Sequence, residues 1–248
     1  MSYLEGVYWD LDGTIANTEI EAHLPAFNKA FADLGVNWYW DDETYINLLK
    51  INGGKNRISH YSNLKNNNYS EDFILEIHRT KQKHYLSLIK NGAVNLKIGV
   101  KRLIAELNSK DVRQFIVTSS SREQVNLLVE TLFGDKNPFE FIISSEDVDL
   151  LKPNSLPYEK ACKLSRIKKS NSIVFEDSVP GVKSSLSANI PTICVMSNIP
   201  TNIENELNLK CLIDTIGDDE NITSVIIGPK LNTKYIDSDY LINYLNTN

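Results

Sequence analysis

Residues 6–14 read Gly-Val-Tyr-Trp-Asp-Leu-Asp-Gly-Thr, and this stretch decides the fold class of the chain. Its first half is an apolar and aromatic run that ends abruptly in acidic residues and glycine, which is typical of a short buried strand. Asp10 and Asp12 follow, so both carboxylates can point into one crevice if the chain bends between strand and loop. An EF-hand loop is excluded, because Gly13 comes too early and no glutamate closes the loop at its twelfth position.

Four similar apolar runs follow, and helical patterns separate them. The runs cover residues 114–118, 139–143, 172–175 and 191–195. Residues 99–107 carry apolar side chains on one helical face, and Ser121 and Gln124 form a capping box that begins another helix. This alternation predicts an α/β fold with a doubly wound parallel sheet. Ligands bind such a sheet at the carboxyl ends of its strands.

Residues 17–92 interrupt this alternation with helical segments only. The pattern predicts two domains, namely a core of residues 1–16 plus 93–248 and an all-helical cap of residues 17–92. We expect Trp38 and Trp40 in the interior of the cap. Residues 201–225 are weakly patterned, and a short helix is expected over 237–245.

Composition excludes several classes of protein. The 248 residues include 26 Lys+Arg and 32 Asp+Glu, and the net charge of −6 argues against a nucleic-acid-binding protein. Three separated cysteines favour reduced thiols over a disulfide framework. No stretch approaches about 18 consecutive apolar residues, and the first residues do not resemble a signal peptide. We therefore expect a cytoplasmic monomer or weak dimer that binds neither nucleic acid nor a membrane.

Four short motifs, taken together in chain order, resemble those of the haloacid dehalogenase superfamily of phosphotransferases. The matches are the Asp10-x-Asp12 pair, Thr118 at a strand end, Lys152 in Leu-Lys-Pro, and the Glu176-Asp177 pair. A lone lysine is usually a surface residue and a lone threonine usually a strand-end hydroxyl. Four motifs in the right order are far more specific than any one of them. The resemblance implies a Rossmann-like core with an inserted helical cap.

The resemblance also implies catalysis through an aspartyl phosphate. Asp10 would be the nucleophile, and Asp12 would act first as general acid and then as general base. Thr118 and the amide of Ser119 would donate hydrogen bonds to the phosphoryl group. Lys152 would neutralise the charge on that group during transfer.

Mg²⁺ is the cofactor that the resemblance implies. This hard cation takes carboxylates, phosphate oxygens and water as ligands. Asp10, the main-chain carbonyl of Asp12 and Asp177 would hold it. Glu176 would support Lys152 or a metal-bound water.

The helical insert places the chain near the subclass that includes β-phosphoglucomutase and phosphoglycolate phosphatase. Over about residues 1–195 it further resembles the CbbY-type family, which are xylulose-1,5-bisphosphate phosphatases. This closer resemblance is carried by residues 10–19, 26–28, 37–41 and 53–58. It implies substrate contacts by Glu19 and His23, whose four-residue spacing puts them on one helical face.

A second, non-reacting phosphate would need its own basic site. Gly54, Lys55 and Arg57 in Gly-Gly-Lys-x-Arg suit it, because glycine permits close backbone approach and the side chains are cationic. Arg122, near the second motif, is a further candidate. The segment is not a Walker A loop, since it lacks the wider glycine spacing and the Ser/Thr after lysine.

Three alternatives remain open. A mutase that moves phosphate within a hexose phosphate would use Asp10 and Asp12 in the same way, with a sugar hydroxyl in place of water. A receiver-type signalling module is much shorter and has no helical insert. A non-catalytic phosphate-binding regulator would have no use for the complete set of motifs. Turnover of a free sugar phosphate would exclude both non-enzymatic alternatives.

Overall fold

The computed structural model describes residues 3–51, 53–196 and 207–247, and within it the chain divides into two compact units. The sheet unit consists of Met1–Ala16 and Leu96–Asn248. The helical unit consists of Asn17–Asn95. Each unit has its own buried interior and is described by itself.

The helical unit has an aromatic interior. Its helices are α1 (Leu24–Asp33), α2 (Asp42–Leu48), α3 (Gly54–Leu64) and α4 (Glu71–Lys90), and a π-helical turn over Glu19–His23 precedes α1. Phe27, Phe31 and Trp40 are fully buried against one another, and the partly buried Trp38 packs onto Phe31. The prediction that both tryptophans belong to this interior is confirmed.

The sheet unit is an α/β structure. Its described residues form one seven-stranded sheet in the order β3-β2-β1-β4-β5-β6-β7, parallel except for β7 against β6. The strands are β1 (Gly6–Trp9), β2 (Arg113–Val117), β3 (Phe141–Ile143), β4 (Ser172–Glu176), β5 (Thr192–Val195), β6 (Leu212–Ile213) and β7 (Val225–Ile227). The helices are α5 (Val100–Ser109), α6 (Arg122–Phe133), α7 (Leu156–Ser165), α8 (Val179–Ser187) and α9 (Ser238–Thr247).

Helices cover both faces of the sheet. On one face, Tyr8 stacks on Phe115 with ring centroids 5.2 Å apart, in an apolar cluster that includes Tyr158 of α7. On the other face, the Trp9 indole donates to the Gln114 side chain at 3.1 Å. Gln114 in turn donates to a main-chain carbonyl of α5. The predicted doubly wound, Rossmann-like sheet is confirmed.

All five predicted strands are present, with ends within two residues of those expected, and the closing helix is α9. The prediction missed β6 and β7. Each lies in an apolar run of only three residues, 211–213 and 225–227, which is shorter than the stretches of four or five residues that predicted the other strands. Leu212 and Ile213 are fully buried because β6 extends the sheet beside β5. Residues 201–206 of the weakly patterned stretch lie outside the described residues.

The order of the strands places three chain segments at one edge. Trp9 at the end of β1 is in register with Ile116 of β2 and Phe175 of β4. The Asp10 amide still donates to the Phe175 carbonyl at 3.0 Å. The residues that follow β1, β2 and β4 therefore leave the sheet side by side. In the described part of the chain, no helix has the length and apolarity needed to cross a bilayer.

Candidate active site

Four ionisable side chains meet at this edge and form what we call the carboxylate–lysine cluster: Asp10, Lys152, Glu176 and Asp177. All four are buried, with exposed fractions of 7%, 6%, 0% and 7%. The Lys152 ammonium donates to Oδ1 of Asp10 at 2.7 Å, to Oε1 of Glu176 at 2.6 Å and to the Val117 carbonyl at 2.7 Å. The lysine that the sequence singled out is thus held between two carboxylates.

The electrostatics of the cluster follow from its burial. Burial and the nearby Glu176 carboxylate raise the pKa of Asp10 to about 7, although Lys152 opposes this shift. Burial lowers the pKa of Lys152, but Asp10 and Glu176 more than offset that effect and hold it above its ordinary value. Lys152 therefore stays charged, and a further cation would favour the ionised form of Asp10.

Two glycines make room for the carboxylates. A Cβ atom at Gly13, where φ is +88°, would lie 2.1 Å from Oδ2 of Asp177. One at Gly181 would lie 1.9 Å from Oε2 of Glu176. Real Cβ atoms do not approach oxygen so closely, so any side chain at either position would displace a member of the cluster.

The cluster has the donor set of a hard-cation site. Asp10, Glu176 and Asp177 each offer a carboxylate oxygen, and these oxygens all lie within 4.8 Å of one another. Oxygen ligands of this kind suit Mg²⁺. Oε1 of Glu176 already accepts from Lys152, and its Oε2 has no hydrogen-bond partner among the described residues.

The second predicted motif contacts the first through a residue that the prediction missed. Thr118 is buried, and its Oγ1 accepts from the main-chain amide of Ser120 at 3.1 Å. The Ser120 hydroxyl donates to Oδ2 of Asp12. Ser119, which the sequence singled out, is exposed. The only sequence signal for Ser120 is its place in the Thr-Ser-Ser-Ser run.

Arg122 is engaged within the sheet unit. Its guanidinium pairs with Asp147 and donates to the Ile142 carbonyl at 3.0 Å. Its main-chain amide donates to Glu146 at 2.9 Å. These contacts tie the start of α6 to the end of β3, and a role for Arg122 in substrate binding stays a prediction.

Within the helical unit, Glu19, Tyr45 and Arg57 form a polar cluster in which the Glu19 and Arg57 side chains are partly exposed and Tyr45 is buried. The Tyr45 hydroxyl donates to Oε2 of Glu19 and lies 3.5 Å from Nη1 of Arg57. That nitrogen is 4.0 Å from the same Glu19 oxygen. Arg57 also donates from Nε to the Ile51 carbonyl at 3.0 Å. Tyr45 was not predicted as a site residue.

His23 has different neighbours from Glu19, although the two were predicted to share a helical face. Its Nδ1 lies 2.6 Å from the ammonium of Lys81 on α4, and its ring stacks on Tyr85 at 4.2 Å. The Glu19 contacts, in contrast, are with α2 and α3. Lys81 is buried, and the sequence analysis did not identify it as a candidate site residue.

Gly54 and Lys55 lie in the first turn of α3. Gly54 has a packing role, because a Cβ atom there would come within 3.0 Å of the His78 ring. Burial, and then the charges of Lys81 and Lys55, lower the pKa of His78 to about 4. Lys55 is exposed, at the amino end of a helix, where backbone amides and the helix dipole favour an anion.

Comparison with known proteins agrees with this fold and gives the class of the protein, which is a hydrolase of phosphate esters. A family model of haloacid dehalogenase-like hydrolases matches residues 7–195. Protein CbbY of Cereibacter sphaeroides is 33% identical over 196 residues, which cover 78% of this chain and 84% of that protein. The chain therefore belongs to the haloacid dehalogenase-like hydrolases, within their CbbY-like group, and is a phosphatase of that family.

Solved structures give the same result. A CbbY mutant from Rhodobacter sphaeroides in complex with xylulose-1,5-bisphosphate matches with a TM-score of 0.73 and 29% identity, over 86% of this chain and 94% of that one. A β-phosphoglucomutase from Clostridium difficile matches over 98% of both chains with a TM-score of 0.70. At 21% identity, this second match shows a shared fold alone.

Proposed function

We propose that this chain is a Mg²⁺-dependent phosphatase of small sugar phosphates that works through a phosphate ester on Asp10. The observation that carries the proposal is the buried Asp10 carboxylate at the end of β1, 2.7 Å from the Lys152 ammonium. A carboxylate held beside a fixed cation can attack phosphorus while the charge on the transferring group is neutralised. Mg²⁺, when bound, would add positive charge at the same oxygens.

The proposed reaction has two displacements at phosphorus. In the first, a carboxylate oxygen of Asp10 bonds to phosphorus, the bond to the sugar oxygen breaks, and Asp12 gives that oxygen its proton. In the second, water attacks phosphorus, Asp12 takes the proton of the water, and the bond to Asp10 breaks. Inorganic phosphate leaves and both aspartates return to their starting forms. Thr118 and the Ser119 amide would hold the phosphoryl oxygens throughout.

We assign the metal ligands to Asp10, Asp177 and the main-chain carbonyl of Asp12. Glu176 is proposed to hold Lys152, because its Oε1 accepts from that ammonium. With these assignments, Lys152 keeps its hydrogen bond to Oδ1 of Asp10. The carboxylates of Asp10, Glu176 and Asp177 lie together, but Glu176 is proposed to position Lys152 and the two aspartates to bind the metal.

We propose xylulose-1,5-bisphosphate as the substrate. Support comes from the 33% identity to a CbbY protein and from the match to a CbbY structure that contains this bisphosphate. The helical unit is proposed to act as the cap. Glu19 and His23 would contact the sugar hydroxyls, and Lys55 and Arg57 would bind the non-reacting phosphate, with Gly54 allowing their approach.

The test is phosphate release in the presence and absence of Mg²⁺. Xylulose-1,5-bisphosphate, β-glucose 1-phosphate and phosphoglycolate would be compared as substrates for the wild type and Asp10→Asn. Asp135→Asn, at an exposed position, is the matched control. We expect efficient, Mg²⁺-dependent release from the bisphosphate, lowered at least about 10³-fold by Asp10→Asn and unchanged by the control.

Each of the other possible outcomes would overturn a specific part of the proposal. Conversion of the hexose phosphate without free phosphate would mean that the enzyme is a mutase. Preference for phosphoglycolate would overturn the substrate and leave the chemistry in place. Equal rates for wild type and Asp10→Asn would overturn the nucleophile.

A further inference from the structure

Tyr158 is a fully buried tyrosine of α7 whose hydroxyl reaches the carboxylate–lysine cluster. The hydroxyl donates to Oε1 of Glu176 at 2.6 Å. Lys152 donates to the same oxygen at 2.6 Å, and its ammonium lies 5.2 Å from the centre of the Tyr158 ring. One carboxylate oxygen is thus shared between a charged donor and a neutral one.

The rest of Glu176 offers no alternative anchor. Its Oε2 has no hydrogen-bond partner among the described residues, and the main chain at Gly181 is packed closely against it. Without the tyrosine hydroxyl, Lys152 would be the one donor that the described residues give to this buried carboxylate. A buried carboxylate with fewer donors attracts its remaining cation more strongly.

Tyr158 can supply this hydrogen bond at any working pH. Burial, and then the charges of Glu176 and Asp10, raise the pKa of its hydroxyl well above the ordinary value. The group therefore keeps its proton and donates, without adding charge to the cluster.

We infer that Tyr158 is a positioning residue of the phosphatase reaction, which acts through Glu176 to keep Lys152 on Asp10. By taking part of the negative charge of Glu176, the hydroxyl leaves the ammonium divided between two carboxylates. Loss of the hydroxyl would draw Lys152 toward Glu176 and away from the nucleophile and the phosphoryl group. The inference rests on the proposed function, since it concerns the same nucleophile.

The first test compares Tyr158→Phe with Tyr8→Phe. Both rings are fully buried in the same apolar cluster. The Tyr8 hydroxyl, like that of Tyr158, makes a buried hydrogen bond of 2.6 Å, in this case with the Ser165 hydroxyl. We expect Tyr158→Phe to lower kcat about tenfold with KM within about twofold of wild type. Tyr8→Phe should keep the wild-type kcat, although both variants lose a buried hydrogen bond. Equal kcat values in the two variants would overturn the inference.

A double-mutant comparison tests the route through Glu176. If Tyr158 acts through that carboxylate, Tyr158→Phe should change kcat less than about twofold in a Glu176→Gln background. A full tenfold loss in that background would show that Tyr158 acts elsewhere, and would overturn the inference.

Beryllium trifluoride, a mimic of the phosphoryl group, supplies a readout that needs no sugar phosphate. Its binding in the presence of Mg²⁺ is measured by ¹⁹F NMR, and we expect Tyr158→Phe to bind it about tenfold more weakly than wild type and Tyr8→Phe. Unchanged binding would count against the inference. A wild type that binds the mimic but hydrolyses no sugar phosphate would overturn the proposed substrate and leave this comparison standing. A wild type that does not bind it would overturn both.

Discussion

The carboxylate–lysine cluster of the sheet unit and the Glu19–Tyr45–Arg57 cluster of the helical unit are built in opposite ways. The first is almost closed to solvent, and Lys152 has three hydrogen-bond partners within 2.7 Å. In the second, the Arg57 and Glu19 side chains keep 14% and 21% of their surface exposed, and their charges are 4.0 Å apart. One arrangement is desolvated and closely hydrogen-bonded, and the other is partly open to solvent and loosely paired.

This difference indicates that the buried cluster suits the chemical step and the partly exposed one suits substrate recognition. In a buried cluster each charge depends on the others, so one substitution affects stability and turnover together. In a partly exposed cluster, water and neighbouring side chains replace a lost contact at small cost. We therefore expect substitutions in the carboxylate–lysine cluster to lower both kcat and stability, and substitutions in the Glu19–Tyr45–Arg57 cluster to raise KM at little cost in stability.

The largest effect is expected from Lys152→Met. It removes the cation that is paired with Asp10 and Glu176, so the free energy of unfolding should fall by about 3–5 kcal/mol and phosphate release by at least about 10³-fold. Urea unfolding and a phosphate assay would measure both. The counterpart, Arg57→Met, should raise KM and cost under about 1 kcal/mol. A Lys152→Met protein as stable as wild type would show that the cluster is not ionic.

Next in size is Gly181→Ala. The added methyl group would overlap Oε2 of Glu176, so we expect a loss of about 3 kcal/mol and a fall in kcat of about 100-fold. Gly35→Ala in the helical unit is the control, because φ there is +65° and no atom lies within 4 Å of the new Cβ. It should cost about 1–2 kcal/mol of backbone strain and leave kcat unchanged. Full activity in Gly181→Ala would mean that Glu176 can move without consequence.

Much of the buried cluster could be predicted from the sequence, for a physical reason. Parallel strands buried on both faces are continuous apolar runs, so their ends are visible, and phosphoryl transfer needs particular residue types at those ends. Asp10 and the Glu176-Asp177 pair follow such strand ends, whereas Lys152 lies in a loop and was identified through the resemblance of four motifs in chain order to those of the haloacid dehalogenase superfamily. The structure brings all four residues together.

What could not be predicted depends on tertiary contacts between distant residues. Ser120 contacts Asp12, 108 positions earlier, and nothing local marks it apart from its serine neighbours. Tyr158 looks like any apolar position of an amphipathic helix, and its hydroxyl has meaning only beside Glu176. In the helical unit, Tyr45 is part of an aromatic interior, so its polar contact is hidden in the sequence.

Ser120→Ala tests a hydrogen bond at the edge of the buried cluster. The hydroxyl donates to Asp12, which is proposed to transfer the proton, so its loss should lower kcat about 3–10-fold with little change in stability. The steady-state rate at saturating substrate measures this effect. Ser109→Ala, which removes an exposed hydroxyl bonded to a helix carbonyl, should have no effect. A rise in KM with unchanged kcat would contradict this prediction and show that Ser120 serves substrate binding rather than proton transfer.

Tyr45→Phe tests the partly exposed cluster. Without its hydroxyl, Glu19 loses a donor, and KM for the bisphosphate should rise about 3–10-fold while kcat stays within about twofold. Tyr61→Phe is the matched control, because the Tyr61 ring packs edge-on against Trp38 and Trp40 in the same unit. A fall in kcat with unchanged KM would contradict the division between chemistry and recognition.

The last effect concerns pH and is expected from the half-buried His78. Its folded-state pKa of about 4 lies below the ordinary value of 6.5. As pH falls through this interval, the unfolded chain binds a proton that the folded chain does not, so stability is lost toward acid pH. After allowance for partial exposure, the loss is about 1–2 kcal/mol between pH 6.5 and pH 4.

His78→Asn should remove the loss of stability that His78 causes toward acid pH. The measurement is the difference in the free energy of unfolding between pH 7 and pH 4.5, which should be smaller in the variant than in the wild type. His60→Asn, at an exposed position of α3, is the control and should keep the wild-type difference. If His78→Asn keeps it as well, the imidazole accepts a proton inside the folded helical unit despite Lys81 and Lys55. The helical unit would then tolerate a further buried charge, and its contrast with the carboxylate–lysine cluster, where each charge depends on the others, would become sharper.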